Sequence, residues 1–113
     1  MAKDDYYVIA YKLLSYLYAC LKNSDPIDIE SLRFVIKVDI KDDYWDYVVK
    51  NLVDDDYLTG VDLIPVLGKR EPRVRINPNI KITPKGIDFL NNNSAINKAK
   101  EFLKEIKEFL PWV

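Results

Sequence analysis

The stretch Ile80-Lys81-Ile82-Thr83-Pro84-Lys85-Gly86-Ile87-Asp88-Phe89-Leu90 contains the clearest change of structure in the chain. Its first three residues have the apolar and charged alternation of a strand. Thr83 followed by Pro84 is a favoured helix start, because the threonine can cap the first turn and the proline has no N–H that needs a partner there. The stretch therefore predicts a strand that runs directly into a capped helix.

A hairpin is predicted immediately before this stretch. Residues 57–66 are rich in β-branched and aromatic side chains, and residues 68–72 have turn chemistry. Residues 73–76 alternate charged and apolar side chains, which is typical of a returning strand. Asn77-Pro78-Asn79 then interrupts the pattern, because proline cannot donate to a ladder. Residues 80–82 are therefore expected to form an irregular or edge strand.

The first helix is predicted over residues 4–21, where apolar residues recur at spacings of three and four. Lys12, Ser15 and Lys22 are expected to face water. The apolar arc is wide, which favours a central helix covered by several others and leaves self-association as the alternative. One flank of this arc is lined by three tyrosines, which are Tyr7, Tyr11 and Tyr18.

Two more helices are predicted before the hairpin. After the turn at residues 23–26, Ile27 is expected to form a very short strand, and Asp28 to cap a second helix over residues 29–38. Asp39 is expected to cap a third helix that ends in the acidic run Asp54-Asp55-Asp56. The buried face of this helix is predicted to contain Trp45, Val48, Val49, Leu52 and Val53.

After the break at residues 91–94, a last amphipathic helix is predicted over residues 95–110. Such a helix can dimerise, or it can fold back and cover the first helix, and the sequence favours the two equally. Its apolar stripe contains Ile96, Ala99, Phe102, Leu103, Ile106, Phe109 and Leu110. The candidate partner-binding or dimerisation residues are Phe102, Ile106 and Phe109 together with Tyr7, Tyr11 and Tyr18.

The predicted order is helix, short strand, two helices, hairpin and two helices, which is the order of a winged helix-turn-helix domain with a C-terminal extension. The fold class is therefore α+β, with three helices and a β-hairpin wing. A chain of 113 residues has room for one core. We expect a winged-helix domain over residues 1–93, with residues 94–113 forming part of the same domain or a dimerisation element.

Three stretches resemble a known family. Tyr57-Leu58 and residues 82–90 look like the "gYi" and "LTxKGxxyL" stretches of bacterial winged-helix proteins, and residues 91–107 continue into a helix. In this respect the chain is similar to the YjcQ-like family of small winged-helix proteins from Gram-positive bacteria and their phages. The resemblance is firmest over residues 80–110. It implies the fold and a bacterial or prophage origin, and it supplies no activity and no catalytic residues.

Composition disfavours most enzyme classes. The chain has no histidine, which removes the Ser/His/Asp and Cys/His nucleophile pairs and the common zinc arrangements. The single Cys20 lies in an apolar run and is expected to be buried and inert. The acidic N-terminus lacks the pattern of a signal peptide, and no apolar run is long enough for a membrane span. We expect a cytoplasmic, non-catalytic protein without cofactor, metal site or membrane association.

Two functions from different classes remain open. The outward face of the third helix is predicted to carry carboxylates, which would repel DNA phosphates; they belong to Asp42, Asp43, Asp46 and Asp54. This favours a protein-interaction module, and a homodimer is one form that such a module can take. The wing is basic, which favours a regulator that binds double-stranded DNA mainly through the wing. The candidate nucleic-acid-binding residues are Lys69, Arg70, Arg73 and Arg75, with Lys50 on the third helix.

Overall fold

The computed structural model describes residues 1–113 and has five helices and one antiparallel hairpin. This arrangement confirms the predicted fold class, a winged-helix-like α+β fold. The elements in chain order are α1 (Tyr6–Asn23), α2 (Leu32–Val35), α3 (Asp42–Asp54), β1 (Leu58–Ile64), β2 (Arg73–Ile82), α4 (Pro84–Asn92) and α5 (Ser94–Glu105).

Helix α1 is the centre of the core. Most of its apolar side chains are fully buried, including Val8, Ile9, Leu13 and Leu14. The expectation that Lys12 and Ser15 face water was wrong, because both are buried and Lys12 is only 1% exposed. The apolar arc of α1 is wide, and α3, α4, α5 and the hairpin all pack around it. The middle of the helix therefore has no polar face towards solvent.

Four helices end in the same way, with a non-glycine residue in the left-handed region. In each case the next N–H donates to a carbonyl five positions earlier, which is the hydrogen bond of a Schellman motif. The left-handed residues are Ser24, Lys37, Asp56 and Lys107. The corresponding bonds run from Asp25 to Cys20 at 2.9 Å, from Val38 to Arg33 at 2.9 Å, from Tyr57 to Leu52 at 3.0 Å and from Glu108 to Leu103 at 2.9 Å.

These endings explain part of the acidic run after α3. Asp56 takes the left-handed conformation, which aspartate tolerates better than most residues. Its carbonyl also accepts a hydrogen bond from the hydroxyl of Thr83, which ties the end of α3 to the start of α4.

Three local predictions before the hairpin were wrong. The second helix has only four residues, because Lys37 turns left-handed and ends it. Ile27 forms no strand, so the sheet has two strands only. Helix α3 has Lys41 at its N-cap position and no side-chain cap, whereas Asp39 was expected to cap it.

The pairing of the two hairpin strands is irregular near Pro78, as the sequence predicted. Thr59 pairs with Lys81 and Val61 pairs with Ile76, so residues 77–80 stand opposite Gly60 alone. Gly60 has a φ of +88°, and a Cβ there would lie 2.6 Å from the Cα of Ile80. Glycine is required at this position because both the conformation and the close approach exclude a side chain.

Helix α4 begins as predicted. The hydroxyl oxygen of Thr83 accepts a hydrogen bond from the N–H of Gly86 at 3.0 Å, and Pro84 occupies the first helical position. Asn93 separates α4 from α5 and caps α5, because its side-chain oxygen accepts from the N–H groups of Ala95 and Ile96. The two helices are therefore joined by a single capping residue.

Helix α5 packs against α1 but ends earlier than predicted, at Glu105 instead of Leu110. Ile96, Ala99 and Leu103 are buried, and Phe102 packs against the core while partly exposed. After the turn at Lys107, residues 108–113 run back across α1; we call them the C-terminal segment. This turn breaks the predicted apolar stripe, leaving Phe109 78% exposed and Leu110 buried.

Candidate interaction surfaces

The basic residues of the wing lie beside acidic residues of α3. Lys69 Nζ is 3.6 Å from an Asp43 carboxylate oxygen, and Arg73 Nε is 3.6 Å from Asp46. Within the hairpin, Arg75 pairs with Asp62 at 2.7 Å. Carboxylates therefore face three of the four wing cations that the sequence offered as nucleic-acid contacts.

Lys50, the fifth candidate contact, is also paired. Its ammonium lies 2.8 Å from Asp54 on the next turn of α3 and 4.0 Å from Glu71 in the turn of the wing. The hydrogen bond from Lys50 to Asp54, reinforced by the Asp54 and Glu71 charges, raises the lysine pKa above its ordinary value. Lys50 is thus held on α3 between two carboxylates.

Asp46 was expected to point outward from α3, and this was wrong, because the residue is only 6% exposed. Its carboxylate faces β2, where it lies near the N–H of Val74 at 3.5 Å as well as the guanidinium of Arg73. The physical reason is that α3 packs directly against the hairpin, so this position is covered by the wing. Asp46 joins α3 to the wing.

The tip of the wing differs from its stem. Of the four candidate wing cations, Arg70 is the one without an ion pair, and Leu67 nearby is fully exposed. Gly68 has a φ of +80°, which lets the turn form between the two. The tip therefore presents one free charge and one large apolar side chain to solvent.

The three tyrosines predicted to line one flank of α1 do not form a common surface. Tyr11 is buried, because α5 and the C-terminal segment cover it. Tyr18 lies under the ammonium of Lys22, at 4.2 Å from the ring centre. Only Tyr7 is exposed, and it meets the ring of Tyr6 edge-on, with centroids 5.2 Å apart.

Tyr7 and Tyr47 of α3 are both exposed, and both act electrostatically on Tyr6, as Asp55 does. Burial raises the pKa of Tyr6 well above its usual range, and the charge of Asp55 adds to the effect. Tyr47 also stacks on Tyr44 at 6.5 Å between centroids. We call Tyr7, Tyr47 and Asp55 the tyrosine surface.

A second candidate region of α1 is built around Lys12, whose side chain is buried. The sequence pattern gave no indication that this lysine is buried. Its ammonium donates to the carbonyl of Lys37 at 2.7 Å and to the carboxylate of Glu108 at 3.1 Å. Burial raises the pKa of Glu108, but the hydrogen bond and charge of Lys12, with Lys3 and Lys37, outweigh burial and lower it. Lys12 thus joins α1, the turn after α2 and the C-terminal segment.

The rest of the C-terminal segment is fixed on the same face of α1. The indole N–H of Trp112 donates to the hydroxyl of Ser15 at 2.9 Å, and that hydroxyl donates to the carbonyl of Lys12. The Trp112 ring also meets Tyr16 edge-on at 5.1 Å. Lys37 Nζ donates to the carbonyl of Phe109 at 3.0 Å, which holds the exposed Phe109 in place.

The largest hollow of the surface, about 890 Å³, lies between the N-terminus, the α2 turn and Glu108. Phe34 stands in it and is 86% exposed. The hollow contains no pairing of a nucleophile with a base. No group of three or more His, Cys, Asp or Glu side chains in the protein is placed to hold a metal ion. None of the helices is long and apolar enough to cross a membrane.

The family model described as YjcQ protein matches residues 11–109. The chain belongs to the YjcQ family. The matched range begins in α1 and ends at Phe109, so the YjcQ family match includes the wing, α5 and both residues of the Lys12–Glu108 pair. No curated protein and no solved structure matches the chain.

Proposed function

We propose that this YjcQ family protein is a non-catalytic, regulatory binding protein of the bacterial or phage cytoplasm whose partner is another protein. The observation that carries the proposal is the pairing of α3 carboxylates with wing cations, above all Asp43 with Lys69 and Asp46 with Arg73. In a winged-helix protein that binds DNA, the third helix and the wing contact the DNA together. Here their charges largely neutralise each other.

Electrostatics supports this choice of partner. Phosphate binding requires cations that are free to release the counterions of DNA, and a surface with few free cations gains little affinity from that release. Docking α3 would bring Asp42 and Asp43, both at its exposed start, towards the phosphates. Both carboxylates are already paired, Asp42 with Arg33 at 2.7 Å and Asp43 with Lys69 at 3.6 Å. A phosphate that displaced either cation would face the free carboxylate, at a cost on the order of 1 kcal/mol even in high dielectric.

A protein partner has suitable side chains to engage. On the tyrosine surface, Tyr7 and Tyr47 offer exposed rings beside the charge of Asp55. Tyrosine is enriched in protein interfaces because a rigid ring buries much area with little loss of side-chain entropy. We therefore place the partner contact on this surface, which lies on α1 and α3.

The absence of catalysis in this proposal rests on the available side chains. The chain has no histidine, and burial raises the pKa of the only thiol, that of Cys20, which disfavours its nucleophilic thiolate form. Burial raises the pKa of the tyrosines with shifted values, including Tyr11 and Tyr57, so that at neutral pH less phenolate is present to act as a base and the phenol is a weaker acid.

Binding of double-stranded DNA through the wing tip is the second candidate. It is favoured by Arg70, which has no ion pair, and by the fully exposed Leu67, since small wings can place a cation and an apolar wedge in a minor groove. One free cation at the tip would give weak binding with a shallow salt dependence, because the dependence grows with the number of phosphates neutralised.

The deciding experiment measures fluorescence anisotropy of a labelled random DNA duplex at low and moderate salt. We expect no saturable binding by the wild-type protein, and the same for Arg70→Ala. Salt-sensitive binding at micromolar protein that disappears in Arg70→Ala would overturn the protein-partner proposal in favour of the wing. Light scattering on the same samples excludes aggregation as a cause of the signal.

The tyrosine surface is tested by crosslinking and mass spectrometry in a host lysate, comparing wild type with Tyr7→Ser/Tyr47→Ser. The matched control is Leu21→Ser, which changes another exposed residue of α1. We expect a partner that is crosslinked by wild type and the control and lost in the double variant. Equal crosslinking by all three proteins would exclude this surface.

A further inference from the structure

The C-terminal segment is bound to α1 as a short peptide would be, with every second side chain inserted and a turn at its end, where the N–H of Val113 donates to the carbonyl of Leu110 at 3.1 Å. Glu108 reaches the buried Lys12, Leu110 is buried, and Trp112 donates to Ser15 and packs against Tyr16. Phe109, between the first two, points to solvent. We call the site on α1 that receives these three side chains the α1 groove.

The connection between α5 and this segment is a single left-handed residue. Lys107 has a φ of 55°, a conformation that costs lysine more than glycine. The surrounding sequence favours a continued helix at Lys107 instead, because the apolar stripe of α5 continues in helical register through Ile106, Phe109 and Leu110. Local preference and observed structure therefore disagree at Lys107, as they do where a chain has two competing conformations.

We infer that Lys107 is a hinge, and that the α1 groove exchanges the C-terminal segment of its own chain for that of a second copy. With only Lys107 changed to the helical conformation, the chain direction after α5 changes, and the C-terminal segment, otherwise unaltered, points away from its own α1. The segment then binds the α1 groove of a second copy, whose segment binds in return. The product is a closed dimer with two-fold symmetry, which is the usual outcome of exchanging identical elements.

The chemistry of the groove selects this occupant. It offers a buried ammonium, an apolar hole, and a hydroxyl that accepts an indole N–H. These recognise a carboxylate, a leucine and a tryptophan at alternate positions, as in Glu108, Leu110 and Trp112. A second copy carries the same segment, so each contact of the monomer is made again in the dimer.

Concentration decides which form is populated. The tethered segment has an effective concentration near its own groove on the order of millimolar, so a dilute chain is monomeric. Refolding at high protein concentration gives a second copy the chance to compete. This inference concerns self-association and does not depend on the partner proposed above.

The test changes Lys107 in two opposite directions. Glycine favours the left-handed turn and disfavours the helix, whereas alanine does the reverse. Each protein is refolded at high concentration and examined by size-exclusion chromatography with light scattering. We expect the dimer fraction to rise from Lys107→Gly through wild type to Lys107→Ala, with dimer dissociation constants at least about tenfold apart between the two variants.

Two variants in the C-terminal segment identify the side chains that make the dimer contact. Trp112→Ala removes an inserted side chain and should abolish the dimer in the Lys107→Ala background, while Phe109→Ala removes an exposed one and should leave it. Circular dichroism verifies the fold of every variant. A folded Lys107→Ala protein that remains monomeric after concentrated refolding would overturn the inference. So would a dimer that is equally stable in both Lys107 variants, or one that depends on Phe109 instead of Trp112.

Discussion

Gly86, in the first turn of α4, packs its α-carbon directly against the carbonyl oxygen of Tyr57, at the start of the hairpin. A Cβ at this position would overlap that oxygen and lie 2.8 Å from the side chain of Ile82. The oxygen cannot retreat, because it accepts the N–H of Thr83 at 3.1 Å. The contact fixes how closely α4 approaches the hairpin.

We therefore expect Gly86→Ala to destabilise the protein, although alanine is the better helix former. The helix preference is worth about 1 kcal/mol, whereas relieving a backbone overlap costs about 1–3 kcal/mol or more. Because the overlap is with backbone, its cost lies at the upper end of this range, so the net loss should be about 2 kcal/mol in the free energy of unfolding measured with urea. Lys85→Ala is the matched control, because it introduces alanine at an exposed position of the same helical turn. An unchanged or higher stability of Gly86→Ala would show that α4 can shift freely.

The Lys12–Glu108 pair should respond unequally to the loss of each partner. Glu108→Gln leaves a fully buried ammonium with the Lys37 carbonyl as its remaining strong acceptor. Lys12→Met replaces that ammonium with an apolar group of similar length and leaves Glu108, which is partly exposed, able to contact water. We expect losses of about 2–3 kcal/mol for Glu108→Gln and about 1 kcal/mol or less for Lys12→Met. Urea unfolding of both variants decides this, and the reverse order would mean that the ammonium is hydrated.

Glu108 should also make stability depend on pH in acid. Its pKa is lowered in the folded protein, so its contribution is fully present above the pKa of the unfolded chain. That contribution is lost as pH falls through the lower, folded pKa, a window below about pH 4. We expect the stability difference between wild type and Glu108→Gln to shrink between pH 5 and about pH 3. A difference that stays constant over this range in urea titrations would contradict the assignment.

The left-handed helix ends offer a stabilising substitution. Ser24 has a φ of 56° at the end of α1, and its side chain makes no hydrogen bond in the structure. Ser24→Gly should raise the free energy of unfolding by about 0.5–1 kcal/mol, since glycine adopts this conformation without strain. Asn23→Gly, one residue earlier and helical, should lower it by a similar amount. Thermal unfolding monitored by circular dichroism distinguishes the two, and stabilisation by both would exclude this explanation.

Local chemistry is why the hairpin and α4 could be predicted from sequence. Thr83, Pro84 and the interruption around Pro78 act on their immediate neighbours, and the structure has the cap and the irregular pairing where these residues predict them. The end of α5 could not be predicted in this way. Lys107 carries no signal for a left-handed turn, because lysine is helix-forming and the apolar stripe continues beyond it.

The candidate surfaces were harder to predict because they depend on which distant residues meet. The acids of α3 and the cations of the wing are both visible in the sequence, but only packing of α3 on the hairpin reveals that Asp46 faces Arg73. Lys12 has the ordinary appearance of a solvent-facing lysine on a helix. Its partner Glu108 is 96 positions away, beyond what periodicity can relate.

The burial of α1 under the end of the chain sets the order in which the protein is completed during synthesis. Residues 6–23 emerge from the ribosome first, yet Tyr11, Lys12 and Ser15 are covered by α5 and the C-terminal segment, which emerge last. Stalled nascent chains ending near residue 93 should remain open to protease within α1, and protection there would show that earlier elements suffice. The most apolar helix of the protein is thus only partly covered until α5 and the C-terminal segment have emerged.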